Sequence, residues 1–359
     1  MLRFTLRFVS LILVLISGAC IRTINPPIRK VAPALVVEGS VTTDPPPYTV
    51  NLSYSGQYDN AVQIPQELYI PDAHVVMRDD QGDSSICDWV SNGSYQTIDT
   101  SFVGTVGRTY TVTITLSNGK TYVSKPEKIS AAPPIDSLTV FYDSSYLIGI
   151  RPSQLILSVH TRDPAGVSNY YRWTADGYVP RKSSGFPCSW FSPPCGIVCS
   201  CFALCDQYMT NQEVNVLSDQ FTDGNEIIQP VFYSPVYWFG SHDVEVKQYS
   251  LSLEAYSFWQ AYLAQTNRTG SILDPLPSSL VGNVYNRADS NEVALGLFSA
   301  SAVRSAKVII TPFFLQQYYL LSIAGSFITY GDCHTVYPNS LPDDASPGAW
   351  AGADSINLY

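Results

Sequence analysis

The segment from Thr109 to Leu116 alternates strictly between threonine and a large apolar residue. In an extended chain, successive side chains point to opposite faces, so the apolar side chains of this segment all lie on one side. A helix would need apolar residues three and four positions apart, which this segment lacks. The alternation therefore predicts a β-strand that has one buried face and one face in water.

Turn residues and further strand-like runs surround this segment. Asn118–Gly119 follows it directly and is the type of pair that closes a tight hairpin, here with Thr121–Val123. Runs rich in Val, Ile, Thr and Tyr also occur at residues 35–41, 48–54, 73–78 and 95–98. Short strands at this spacing predict a first β-sandwich over residues 34–130.

Two consecutive prolines, Pro133 and Pro134, predict a domain boundary, because proline lacks the amide hydrogen that a sheet interior requires. A second β domain is predicted over residues 131–359. Its strand-like runs are residues 137–142, 154–160, 169–175, 280–285, 293–299 and 307–310. Residues 180–206 are rich in cysteine, proline and glycine, and we expect them to form a loop. The fold class expected is mainly all-β, with two immunoglobulin-like β-sandwich domains.

One segment of the second domain, residues 252–266, has the pattern of a helix. Ser252 is suited to cap its first turn, and Glu254 places a negative charge where the helix dipole favours one. The three- and four-residue spacing of one helical face is followed by Ala255, Phe258, Trp259, Tyr262 and Leu263. A stripe with so many aromatic residues predicts packing against a sheet rather than a ligand site.

The first nineteen residues have the pattern of an export signal. Two arginines precede an apolar run, residues 8–16, that is too short to span a bilayer. Small residues at 17–19 then stand directly before Cys20, as in a bacterial lipoprotein signal. We therefore predict that residues 1–19 are removed, that the Cys20 thiol receives fatty acyl chains such as palmitate, and that residues 20–33 form a lipidated tether. An ordinary signal peptide with an unmodified cysteine is the alternative.

The charge balance excludes two classes of protein. Only 14% of the residues are charged and 13% are aromatic, which is unlike a disordered chain. The chain has 20 basic and 30 acidic residues, and removal of residues 1–19 deletes two arginines and no acid, so the net charge moves from −10 to −12. Such an acidic chain is not expected to bind nucleic acid.

Seven cysteines follow Cys20, and five of them fall between residues 188 and 205. Outside the cytoplasm, cysteines are oxidised, so we expect disulfides within this segment or from it to Cys333. The candidates are Cys188, Cys195, Cys199, Cys201, Cys205 and Cys333. Cys87 is left as the odd thiol, and the sequence does not choose among the pairings of the others.

Metal binding is the alternative interpretation of three segments: residues 195–205 and, for calcium, residues 219–226 and 79–83. The spacing C-x3-C-x-C-x3-C over residues 195–205 offers four thiolates for zinc or an iron–sulfur cluster, but structural zinc sites favour two separated cysteine pairs. Residues 219–226 resemble part of a calcium loop, yet Phe221 and Pro230 occupy positions where an EF-hand needs oxygen ligands. Residues 79–83 are predicted to form a polar turn. No metal and no cofactor is expected.

Motifs for catalysis are incomplete or misplaced. Ser117–Lys120 fits S-x-x-K, but that motif needs the start of a helix and here it falls in the predicted hairpin. The sequence contains no G-x-S-x-G elbow, no P-loop and no dinucleotide fingerprint. We therefore assign no catalytic residue and expect a protein that is not an enzyme.

Eight short segments, spread over nearly the whole chain, share the pattern of one protein family. They are LVVEG at residues 35–39, PYTV at 47–50, VGRTY at 106–110, PPIDSL at 133–138, QYSLSLEAYSFW at 248–259, TGSILDPLP at 269–277, GNVYN at 282–286 and LGLFSAS at 295–301. With these segments the chain resembles a family of Bacteroidota lipoproteins named domain of unknown function 4249.

This resemblance implies a location more than an activity. It is typical of outer-membrane lipoproteins that are often encoded beside TonB-dependent transporters and that begin with an immunoglobulin-like or carboxypeptidase-regulatory-like sandwich. The expected function is a non-enzymatic accessory or binding subunit of such a transporter. Its expected partners are the outer membrane, through the lipid anchor, and a TonB-dependent β-barrel receptor.

Two other functions stay open at this point. One is a surface hydrolase that acts on glycan or peptide, and the other is a structural protein of the cell envelope. The face of the outer membrane, periplasmic or extracellular, also stays open.

Overall fold

The computed structural model describes residues 33–56, 68–143, 154–184, 203–210, 214–235, 242–267, 280–311, 329–330 and 354–357. Over these ranges the chain is mainly β-structure with one α-helix, as expected. The first ten strands are β1 (Leu35–Thr42), β2 (Thr49–Tyr54), β3 (His74–Asp79), β4 (Ser84–Ser91), β5 (Ser94–Thr97), β6 (Thr109–Thr115), β7 (Thr121–Ser124), β8 (Glu127–Lys128), β9 (Ile135–Asp143) and β10 (Gln154–Arg162). The other elements are β11 (Tyr170–Ser184), β12 (Ala203–Thr210), β13 (Asn215–Ser218), a 3-10 helix (Asp219–Phe221), β14 (Glu226–Pro235), β15 (His242–Ser250), α1 (Leu253–Thr266), β16 (Val281–Asn286), β17 (Val293–Ser301), β18 (Val303–Thr311), β19 (Thr329–Tyr330) and β20 (Asp354–Asn357).

Nine strands form a closed ring, which we call the first body, in the order β1, β2, β5, β4, β3, β6, β7, β16 and β17. The ring closes because β17 runs parallel to β1, with Leu295 opposite Val36. A tenth strand, β8, pairs with β6. The predicted sandwich over residues 34–130 is thus corrected: its strands belong to a closed sheet that also takes two strands from residues 131–359. Local periodicity identifies strands, but it does not reveal partners so far apart in sequence.

The inside of the ring holds the first hydrophobic core. In β6, Tyr110, Val112 and Ile114 are buried while the threonines between them are half-buried, which confirms the predicted alternation. The hairpin from β6 to β7 is confirmed too, with Gly119 at φ +84° in its turn. Because each strand contributes every second side chain, a closed ring can fill its interior and leave polar residues outside.

Two glycines let β1, β16 and β17 approach closely where the ring closes. Gly296 has φ +86°, and a Cβ atom there would lie 2.2 Å from the Val37 carbonyl oxygen. A Cβ atom on Gly282 would lie 1.7 Å from the Gly296 carbonyl oxygen. A larger residue at either position would therefore collide with the backbone of a neighbouring strand.

Two sheets form the second body. One consists of β14, β10 and β9, and the larger one follows the order β12, β11, β15, β18 and β20, with β13 and β19 also paired to β11. The two sheets share a second hydrophobic core, in which Tyr171, Trp173 and Phe232 are fully buried. Tyr171 and Trp173 therefore occupy the inner face of β11, and Arg172 between them points to the outer face.

The predicted loop at residues 180–206 is corrected at both of its ends. β11 continues to Ser184 and β12 begins at Ala203, with Pro180 opposite Asp206 in the antiparallel pair. Composition rich in proline and cysteine indicated a loop, but pairing between these two strands overrides the local preference. The middle of the predicted loop, residues 185–202, lies outside the described residues.

Buried polar side chains connect the two bodies. The Gln248 side chain donates to the Pro133 carbonyl oxygen at 2.8 Å, and the Ser250 hydroxyl donates to the Ser130 carbonyl oxygen at 2.7 Å. Both acceptors lie on the segment that leaves the ring after β8. The second body is therefore attached to the ring at the end that lies opposite the start of β1.

The predicted helix at residues 252–266 is confirmed as α1. The Ser252 hydroxyl accepts a hydrogen bond from the Ala255 amide at 3.0 Å and so caps the first turn. Ala255 is buried against Leu251 and Leu297, and the Arg172 guanidinium lies 4.0 Å from the ring centre of Trp259. Within the described ranges, no helix is both long and apolar enough to cross a bilayer.

Candidate functional site

A polar cleft lies between the two bodies. It encloses about 560 Å³, between the connection from β1 to β2 on one side and the outer face of β15 and β18 on the other. Its lining residues are Ser40, Thr42, Asp44, Pro45, Pro47, Tyr48, Thr49, Glu245, Lys247 and Ser305. This volume falls in the range of small-molecule sites, and the hydroxyl and charged groups of the lining suit a polar ligand.

One ion pair spans this cleft. Lys247 Nζ lies 2.8 Å from Asp44 Oδ2, and both side chains are about one third exposed. Burial alone would lower the pKa of Lys247, but the hydrogen bond and charge of Asp44 outweigh it, so the pKa is raised overall. Lys247 is therefore a permanent cation whose charge is already partly neutralised by its partner.

A buried tyrosine fixes the wall of the cleft that belongs to the first body. The Tyr48 hydroxyl oxygen lies 2.7 Å from the Thr42 carbonyl oxygen and 2.8 Å from that of Asp44, and it accepts from the Gly104 amide at 2.9 Å. Burial is the main cause that raises the pKa of Tyr48. Its ring and hydroxyl hold the Asp44 backbone in place, so the carboxylate faces Lys247 from a rigid support.

Aromatic and charged side chains continue from the cleft across the larger sheet of the second body. Glu245 lies opposite Asp176 on β11 and opposite Lys307 on β18. Two positions further along this face, the rings of Tyr178 and Tyr208 meet edge to face at 5.2 Å, and Tyr208 is 38% exposed. No local pattern predicts this grouping, because its members come from four strands.

Three carboxylates come together elsewhere in the second body. Asp163, Asp219 and Asp223 each have one oxygen within 4.8 Å of the others, and the first two are buried. The calcium-like pattern at residues 219–226 identified Asp219 and Asp223 but not Asp163, which follows β10 and is distant in sequence.

Hydrogen bonds within the protein engage this cluster. The Tyr171 hydroxyl donates to Asp163 Oδ1 at 2.5 Å, and the Asn169 amide donates to Asp219 Oδ2 at 2.7 Å. Burial and the adjacent Asp163 carboxylate raise the pKa of Tyr171 above its usual range. Buried carboxylates need such hydrogen-bond donors. The cluster therefore joins the loops of the second body on which its three carboxylates lie.

The predicted polar turn at residues 79–83 is confirmed. Asp79 Oδ1 accepts from the Asp83 amide at 2.8 Å, and Arg108 bridges the two carboxylates with contacts of 2.5 Å to Asp79 and 2.8 Å to Asp83. These contacts close the turn between β3 and β4.

The structure describes two of the cysteines. Cys87 is a free thiol in β4, 3% exposed, and burial raises its pKa to about 12, so it is an unreactive core residue. Cys205 lies in β12 opposite Arg181. The other cysteines lie outside the described residues: Cys20, Cys188, Cys195, Cys199, Cys201 and Cys333. The lipidation at Cys20 and the disulfides stay predictions.

Comparison with protein families assigns the chain to a family. A family model described as "Domain of unknown function (DUF4249)" matches residues 21–307, which is most of the chain. Among proteins with curated descriptions, none matches this sequence. The matched range includes the ring with its β1–β17 pair and the second body as far as the middle of β18. The chain therefore belongs to the family of domain of unknown function 4249.

Proposed function

We propose that the chain is an outer-membrane lipoprotein that serves, without catalysing a reaction, as an accessory or binding subunit beside a TonB-dependent transporter. The observation that carries this proposal is the order of residues at the N-terminus, where an apolar run and small residues 17–19 stand directly before Cys20. A signal of this kind delivers a folded body to a membrane by a lipid, so the body itself needs no spanning segment.

The cleft between the bodies supports the binding part of the proposal. One wall is the short connection from β1 to β2, where Tyr48 holds the Asp44 backbone in place, and the other wall is a sheet. Rigid support is what a binding surface needs, because it avoids the entropic cost of ordering the site when the ligand arrives. A polar ligand or a polar segment of the transporter suits the hydroxyl groups and the Asp44–Lys247 pair.

A finer assignment of the second body is part of the same proposal. Its two sheets face each other across one core, with β10 and β14 on one side and β11 and β15 on the other, which supports an immunoglobulin-like sandwich. Disulfides among the cysteines between residues 188 and 205, or to Cys333, would add covalent ties to this body.

Lipidation is tested by mass measurement and fractionation. In the natural host, the Cys20→Ser variant should lose the mass of the acyl chains and leave the membrane fraction. The matched control is Cys87→Ala, which also removes one thiol and should stay acylated and membrane-bound. A Cys20→Ser variant that keeps the same mass and membrane association as the unaltered protein would contradict the proposal.

The partner is tested by purification of the acylated protein from detergent-solubilised outer membranes. An affinity tag after Tyr359 leaves the N-terminus free, and a β-barrel receptor identified by mass spectrometry should co-purify. Recovery of the acylated protein as a free monomer under mild detergent would argue against a transporter subunit, while leaving its place in the membrane unaffected.

A further inference from the structure

One end of the ring surrounds the point where the N-terminal segment joins the folded chain. β1 begins at Leu35, which lies opposite Tyr54 at the end of β2. The neighbouring Ser53 forms a bridge with Tyr69, and the Leu52 amide donates to the Gly93 carbonyl oxygen at 2.8 Å. The start of the chain, the end of β2 and the turn between β4 and β5 therefore lie together at one rim.

Two large apolar side chains are exposed at this rim. Trp89 is 51% exposed and Val90 is 50% exposed, just before the turn from β4 to β5. Trp89 lies opposite Tyr95, whose side chain is 1% exposed and points into the ring. Trp89 therefore lies on the same side of the sheet as Tyr95, but it is half exposed and lies close to the turn at the open end of the ring. We call Tyr54, Tyr69, Trp89 and Val90 the N-terminal rim.

The N-terminal rim points away from the second body. At the opposite end of the ring, the Thr43 amide donates to the Ser301 carbonyl oxygen at 3.2 Å, and the Val303 amide donates to the Thr43 hydroxyl at 2.9 Å. Val303 is the first residue of β18 in the second body. The rim is therefore at the end of the ring opposite the contacts with β18.

We propose that the N-terminal rim rests on the lipid surface, with Trp89 and Val90 in the interfacial layer of the bilayer. The inference depends on the proposed function, because the acyl chains on Cys20 would bring the rim to the membrane. Twelve residues, 21–32, separate Cys20 from Pro33. At about 3.4 Å per residue this stretch spans at most about 45 Å, so the rim stays within one protein diameter of the bilayer.

The chemistry of the rim fits an interfacial contact. Tryptophan and tyrosine prefer the boundary between headgroups and acyl chains, where the ring is apolar and its N–H or O–H group is hydrated. A patch of this size would bind weakly by itself, but a tether on the same molecule raises its effective concentration at the surface. The lipid anchor and the rim thus act as two contacts that fix the orientation of the ring on the bilayer.

Charge plays little part in this contact. The exposed charged groups closest in sequence to Trp89 and Tyr69 are acidic, Asp88 and Asp72. Neither Trp89 nor Tyr69 has a lysine or arginine within four positions in the sequence, so no local run of basic residues draws them to anionic lipid. The contact should therefore depend little on salt or on the fraction of anionic lipid, unlike polybasic attachment.

Fluorescence quenching tests the contact on the acylated full-length mature protein in vesicles. Lipids brominated on their acyl chains quench tryptophans that reach the interface, and vesicles are made of phosphatidylcholine alone or mixed with phosphatidylglycerol. We expect the unaltered protein to show a quenched fraction that Trp89→Phe removes, equally in both lipids. Trp259→Phe, on α1 of the same protein, is the control and should leave that fraction unchanged.

A second variant probes the other end of the molecule. Phe221 is 90% exposed in the second body, so Phe221→Trp combined with Trp89→Phe places a reporter at an exposed apolar site away from the rim. Quenching of this new tryptophan, or a quenched fraction that survives Trp89→Phe, would overturn the proposal. The mass of Cys20 is measured on the same sample: an unmodified thiol would refute the proposed function, whereas a modified thiol with unquenched Trp89 would refute the rim contact alone.

Discussion

Gln248 offers the sharpest test of how the two bodies hold together. Its side chain is fully buried, and its Oε1 accepts from the Trp173 indole N–H at 2.8 Å. Its Nε2 donates to the Pro133 carbonyl oxygen at 2.8 Å and lies 3.4 Å from the Thr161 hydroxyl. One side-chain amide thus forms hydrogen bonds with an indole N–H in the core and with a carbonyl group of the segment that joins the two bodies.

The Gln248→Leu substitution keeps the volume of the side chain and removes its hydrogen bonds. It leaves the Trp173 N–H and the Pro133 carbonyl without their partner, and each orphaned buried group costs about 1–3 kcal/mol. Leucine gains some apolar burial in return, so we expect a net loss of about 3 kcal/mol in the free energy of unfolding. The exposed Gln81→Leu variant is the matched control and should change stability by less than about 0.5 kcal/mol.

A double-mutant cycle with Trp173→Phe isolates the indole–amide hydrogen bond. Unfolding in urea, followed by circular dichroism, gives the free energy of each variant. Once Trp173 has lost its N–H, Gln248→Leu orphans one group fewer, so the double variant should be about 1 kcal/mol more stable than the sum of the single losses. Additive losses, or a Gln248→Leu loss as small as that of Gln81→Leu, would refute this account.

Three further substitutions test local features by thermal unfolding. Ser252→Ala removes the acceptor for the Ala255 amide and should cost about 1 kcal/mol, whereas Ser252→Thr, which keeps a hydroxyl that can cap the helix, should cost less. Burial raises the pKa of Glu127 above its ordinary 4.5, so its protonated carboxyl group favours folding at low pH and that contribution is lost as the pH rises. Glu127→Gln should therefore stabilise the protein at pH 7 and lose this advantage towards pH 4. Hydrogen bonds from Lys120, Tyr122 and Asn286 lower the pKa of Glu292 to about 2. The stabilising contribution of Glu292 is therefore present above pH 4.5 and is lost as the pH falls to 2. A Glu292→Gln variant whose melting temperature fell as steeply with acid as that of the unaltered protein would contradict this.

Short-range patterns predicted the individual elements well. The alternation before the Asn118–Gly119 turn fixes which side chains of β6 enter the core, and Ser252 fixes the start of α1, because both depend on residues close in sequence. The ring depends instead on Val36 lying beside Leu295. Neither segment has a feature that identifies the other as its partner, because many apolar strands could pair with the same parallel edge.

The candidate site could not be predicted from the sequence for a similar reason. Asp44 and Lys247 are 203 positions apart and look like any other surface charges, yet the fold brings them to 2.8 Å across the cleft. Asp163 likewise joins Asp219 and Asp223 only in space. Sequence motifs report chemistry that is built on one loop or one helix, whereas this cleft is assembled from two bodies.

Closure of the ring by β17 sets an order of events during synthesis. β1 is made first, but its parallel neighbour begins only at Val293, so one edge of β1 has no partner while more than two hundred residues are added. An open apolar strand edge invites pairing with other chains, and the long separation makes closure slow. A chain whose synthesis stops before Val293 lacks β17 and keeps that edge of β1 unpaired, so truncation far from the N-terminus exposes the first strand to aggregation.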